Sequence, residues 1–89
     1  MKHLKIKVTG KVQGVWFRAS TKDKADELGL HGYVKNEPDG SVFIEVSGDE
    51  DLIEKFLKWV KEGPELARVD DLIVEENDLE YNDGFVIKR

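Results

Sequence analysis

The chain has no cysteine. Disulfides, thiolate metal sites and a cysteine nucleophile are therefore excluded, and any chemistry must use other groups. No apolar run approaches the roughly 18 residues that span a bilayer. The opening M-K-H-L-K-I-K alternates and does not form the apolar block of a signal peptide. A soluble, cytoplasmic protein without a membrane partner is expected. Positive charge is in deficit: 14 Lys and Arg against 19 Asp and Glu leave a formal net charge of −5. That sign argues against a general affinity for nucleic acid, although a small anion can still be held locally. Glutamine occurs once, at position 13, while Lys and Glu abound, a bias seen in heat-adapted proteins.

The 89 residues suit one domain, residues 1–89, without repeat, linker or low-complexity tract. A chain of this size buries roughly 60–65% of the surface its unfolded form exposes. Leu4, Ile6, Val8 and Val12 fall on one face of a first strand, opposite His3, Lys5, Lys7, Thr9 and Lys11. After Gln13-Gly14, the residues Phe17, Thr21, Ala25 and Leu28 recur at helical spacing, and Gly29 is placed to end that helix. A second strand, about Gly32 to Glu37, meets a third, about Ser41 to Ser47, across Pro38-Asp39-Gly40, a hairpin signal. Val42, Ile44 and Val46 form the inner face of that third strand.

Asp49, Glu50 and Asp51 then place negative charge at the start of a second helix. Its stripe is Leu52, Ile53, Phe56, Leu57 and Val60, and Gly63-Pro64 stops it. Beyond, Ala67 and Val69 change phase to Leu72 and Val74, predicting a fourth strand with a bulge near Asp70-Asp71. Residues 77–83 read as loop, and Phe85 with Ile87 as a short last strand. The order β-α-β-β-α-β plus one strand is an α+β fold, the split β-α-β plan with two helices on one face of a mainly antiparallel sheet.

Residues 10–18 read G-K-V-Q-G-V-W-F-R, a strand tail that breaks at a glycine just before a helix. A helix N-terminus leaves backbone N–H groups without partners and carries the positive end of the dipole, a setting suited to an oxyanion. Gly14 allows close backbone approach. Amides of Gly14, Val15, Trp16, Phe17 and Arg18 are the candidate phosphate contacts, with the Arg18 guanidinium as a fork-shaped donor. A surface arginine is the plainer account of Arg18, but a helix start is unfavourable for a cation. Asn36 stands late in the second strand, where it either caps the hairpin or belongs to the same site. The first two strands run in one direction, so both residues reach one end of the sheet.

Over nearly its whole length the chain resembles the acylphosphatase family. One signature of that family, G-x-V-Q-G-V-x-F-R, is matched by Gly10, Val12, Gln13, Gly14, Val15, Phe17 and Arg18. A second, G-x-V-x-N-x-x-D-G-x-V with a later glycine, is matched by Gly32, Val34, Asn36, Asp39, Gly40, Val42 and Gly48. The resemblance implies a ferredoxin-like enzyme that hydrolyses carboxyl-phosphate bonds without cofactor or metal. Arg18 would be its phosphate-binding arginine and Asn36 its water-orienting asparagine, and Trp16 occupies a variable position. It further implies a small-molecule acyl phosphate as substrate and inorganic phosphate as product and inhibitor. A monomer is expected.

Other readings of the residues are weaker. His3 and His31 are expected at the surface, without a catalytic part. The acidic run 49–51 lacks the spacing of a calcium loop. Lys5, Lys7 and Lys11 read as the solvated side of a sheet. RNA binding is disfavoured because S-V-F-I-E-V lacks base-stacking aromatics. A domain of a larger carbamoyl-transfer assembly is the remaining rival, disfavoured by the expectation of a single domain.

Overall fold

Hydrophobic alternation at the start of the chain becomes β1 (Lys2–Lys11), and the next apolar repeat becomes α1 (Phe17–Glu27). β2 (His31–Asn36), β3 (Val42–Gly48), α2 (Glu50–Glu62), β4 (Arg68–Glu76) and β5 (Phe85–Ile87) follow. The structure, a computed structural model, describes residues 1–88. Its five strands form one sheet in the order β4-β1-β3-β2-β5. All neighbours are antiparallel except β2 and β5, which are parallel. Split β-α-β topology and the expected boundaries agree with this arrangement to within about two residues, the usual latitude of element ends.

Cross-strand register explains which side chains are buried. Val74, Ile6, Ile44, Val34 and Ile87 lie opposite one another in one row on the helix-covered face, buried at Ile6, Ile44 and Val34 and exposed at the two edge strands. Phe17, Thr21 and Ala25 of α1 and Ile53, Phe56 and Val60 of α2 are buried over that face. The phase change in β4 is a bulge at Asp70: Thr9 pairs with Asp71 and Gly10 with Val69, so Asp70 has no partner. Gly10 is required there, with φ 124° and its ideal Cβ only 2.1 Å from the Arg68 carbonyl oxygen. α1 ends as the sequence indicates. The Leu30 amide donates to the Ala25 carbonyl at 2.9 Å and Gly29 to Asp26 at 3.1 Å, closing a Schellman turn.

The outward face departs from the expectation of a solvated surface. Lys7 and Lys11 do face water, but Tyr33 and Glu45 on the same face are only 8% and 7% exposed. Residues 77–84 fold across this half of the sheet. Tyr33 and Tyr81 donate their hydroxyls to Oε2 of Glu45, and Asn77 Nδ2 donates to its Oε1. The histidines help hold the same segment. His3 Nδ1 lies 2.9 Å from Ser47 Oγ, which also takes the Tyr81 amide at 3.1 Å, and His31 Nδ1 accepts the Gly84 amide at 2.8 Å. Both are therefore half-buried structural groups and not plain surface residues. Among the described residues no helix is long and apolar enough to cross a membrane.

Candidate phosphate-binding site

Three apolar side chains shape the loop between β1 and α1. Val12, Val15 and Phe17 are buried in the core, with the Phe17 ring 6.0 Å from that of Trp59. Their burial anchors the loop to the core by its side chains. Gly14 has φ 75° and Trp16 φ 64°, left-handed conformations that turn the chain sharply into α1. Among the described residues, no main-chain carbonyl pairs with the amides of residues 14–19. Trp16, as N-cap, supplies no side-chain acceptor, and the first turn of α1 carries no acidic residue. The contrast with α2 is informative, since its first turn holds Glu50 and Asp51. The positive end of the α2 dipole is neutralised by its own sequence, whereas that of α1 is not.

Arg18 sits in this first turn, half-buried, and makes no ion pair among the described residues. Asn36 ends β2 directly opposite Val42, and its Oδ1 is buried without a hydrogen-bond partner among the described residues. A buried amide oxygen left unpaired costs free energy of about 1–3 kcal/mol; Thr21 Oγ1 is also buried and unpaired among the described residues, but of the two only Asn36 lines a cleft. Both residues line one open cleft of about 980 Å³, together with Val12, Gly14, Trp16, Phe17, Ala19 and Ile87. The spacing argument thus brings Arg18, Asn36, Gly14, Trp16 and Phe17 together. Val15 does not line the cleft, because its side chain turns into the core.

Two contributors escape sequence reasoning. Ile87 enters the cleft because β5 adds to the far edge of β2, with Ile87 opposite Val34. No local signal marks that pairing. Gln13 joins the loop to the hairpin: its Nε2 donates to the carbonyls of Glu37 and Ser41 at 2.7 and 2.8 Å. A polar residue beside an expected loop was the available signal. The hairpin itself is stiffened at Asp39, which accepts from Lys7 Nζ at 2.8 Å and from the Ser41 hydroxyl at 2.6 Å. The Lys7 hydrogen bond, then those from Ser41, hold the Asp39 carboxyl well below the usual carboxylate range.

Comparison with known proteins agrees with this geometry. The Acylphosphatase family model matches residues 4–87. A Thermotoga maritima protein named acylphosphatase is 50% identical over 88 residues, covering 99% of this chain and 98% of that protein. Another, from Methylococcus capsulatus, is 50% identical over 76 residues, covering 85% of this chain and 83% of that protein. The crystal structure of acylphosphatase from Bacillus subtilis superposes with a TM-score of 0.95 at 39% identity over the whole of both chains.

Proposed function

The chain belongs to the acylphosphatase family, and from that premise we propose that Arg18 and Asn36 divide the hydrolysis of a carboxyl-phosphate bond between them. Arg18 and the amides of Gly14, Val15, Trp16, Phe17 and Arg18 grip the phosphoryl oxygens. Asn36 positions the attacking water through its Oδ1. The unpaired, buried Oδ1 of Asn36, in the same cleft as Arg18, carries this reading.

The chemistry asks little else of the protein. Water attacks phosphorus in line, the bond from phosphorus to the acyl oxygen breaks, and the carboxylate leaves with the electron pair. Both protons of the water end on the product phosphate. A carboxylate departs without being protonated, so no general acid is required, and catalysis reduces to positioning and charge stabilisation. The amides and guanidinium face charge that builds on the equatorial oxygens. Asn36 can accept a hydrogen bond from the water through Oδ1 and so direct the water's lone pair at phosphorus.

Product phosphate fits the same grip and is expected to inhibit competitively. No three His, Asp or Glu side chains converge as metal ligands among the described residues, and turnover should survive exhaustive chelation. Release of phosphate from acetyl phosphate and benzoyl phosphate, with and without a chelator, tests the proposal. Hydrolysis of neither, or phosphate inhibition that is not competitive, overturns it.

A further inference from the structure

Trp16 is unusual in both backbone and exposure. It is the only non-glycine residue with positive φ among those described, at 64° with ψ 19°. A left-handed backbone is unfavourable for any residue bearing a Cβ, and its persistence calls for a compensating role. Packing does not supply one, because the indole is 74% exposed. Scattered exposed apolar residues need no explanation, but this one stands at the lip of the cleft. There it faces the same space as Ile87, itself 40% exposed, and Ala19.

The cleft is larger than its polar groups require. At about 980 Å³ it lies at the upper end of the range of small-molecule sites, roughly 300–1,000 Å³. Its polar side chains, Arg18 and Asn36, are already committed to the phosphoryl group and the water. What remains exposed is apolar. In-line attack sets the acyl group on the side of phosphorus away from the water, and therefore away from Asn36 on β2. Ile87 belongs to β5, the neighbour of β2, and so shares the Asn36 side. Trp16, two residues before Arg18 at the start of α1, is the most exposed apolar residue of the cleft.

We propose that Trp16 is a specificity residue that receives the acyl part of the substrate, its indole face stacking on an aromatic acyl group. The preferred substrates are then aryl carboxyl phosphates over acetyl or carbamoyl phosphate. Stacking accounts for an exposed flat ring better than a hydrogen bond does, since the indole offers one donor and a broad apolar face. The inference rests on the acyl phosphate reading above and narrows it.

Trp16→Gly retains the loop amide and accepts the left-handed backbone, so the variant is expected to fold. The measurement is kcat and KM for benzoyl phosphate and acetyl phosphate in wild type, Trp16→Gly and Trp16→Phe. In Trp16→Gly the benzoyl-to-acetyl ratio of kcat/KM should fall about tenfold, mainly through KM for the benzoyl substrate, while Trp16→Phe stays within about threefold. Inhibition constants supply a second readout: benzoylmethylphosphonate should lose its advantage over methylphosphonate in Trp16→Gly. Unchanged ratios in both experiments overturn the role of Trp16. Absence of hydrolysis of either substrate by the wild type overturns the catalytic reading instead, and the phosphonate comparison still decides the apolar subsite.

Discussion

Nε2 of Gln13 donates to the main-chain carbonyl of Glu37 at 2.7 Å. One end of that bond lies in the β1–α1 loop and the other follows Asn36 directly, so that loop and Asn36 are held in one frame. The same nitrogen reaches the Ser41 carbonyl, which itself pairs with the Glu37 amide across the turn. Gln13→Ala should lower stability by about 0.5–1.5 kcal/mol, because two part-buried carbonyls each lose one donor while keeping a main-chain amide. It should also lower kcat with only a small change in phosphate affinity. A denaturation curve and an inhibition constant check both; wild-type values for stability and kcat would remove the bridging role.

Variants of Arg18 and Asn36 are expected to fail differently. Arg18→Ala should weaken inhibition by phosphate as well as turnover, since the charge-assisted contact acts in ground and transition states alike. Asn36→Ala should keep most phosphate affinity while losing about 2–4 kcal/mol of transition-state stabilisation, by analogy with removal of an oxyanion donor. Its stability should hold or rise slightly, because the variant discards a buried unpaired oxygen. Folded Asn36→Ala with normal turnover, or Arg18→Ala with normal phosphate inhibition, would contradict the division of work.

Register in β1 makes a stability prediction. Ile6 is fully buried between Ile44 and Val74, whereas Lys5 points outward with its Nζ 4.0 Å from Glu75. Ile6→Ala should cost about 2–5 kcal/mol, and Lys5→Ala about 1 kcal/mol or less. Urea midpoints measure the difference, and equal midpoints would contradict the register.

Alkaline stability depends on the outward cluster. Burial, then the hydrogen bond to Glu45, raises the Tyr33 pKa above its ordinary value, and the same causes raise that of Tyr81. Below about pH 10 both tyrosines are protonated in folded and unfolded states, and their contribution is complete. As pH rises past that point the unfolded chain ionises first, so stability falls, by about 1.4 kcal/mol per pH unit for each tyrosine until its folded pKa is reached. Chemical denaturation from pH 8 to 11.5 should show this fall. The double variant Tyr33→Phe with Tyr81→Phe, which lacks any tyrosine, should begin lower and decline less steeply; parallel alkaline limbs would reject the assignment.

Element order, the bulge near Asp70 and the placement of Arg18 and Asn36 at one end of the sheet were all legible in the sequence. Each rests on a local quantity: a period of two or of helical spacing, a turn residue, a break in phase, or the direction of two strands joined by a crossover. Local periodicity reports which face a residue takes, but not what covers that face. Glu45 has the phase of an outward residue in S-V-F-I-E-V, yet it is buried because residues 77–84 fold across it. Ile87 enters the cleft only because β5 pairs with β2, and Gln13 becomes a bridge only because the hairpin turns back beside the loop. Unpaired status belongs to the same class. The free Oδ1 of Asn36 and the open amides of residues 14–19 are defined by the absence of neighbours from other segments, a relation that exists only once the chain has folded.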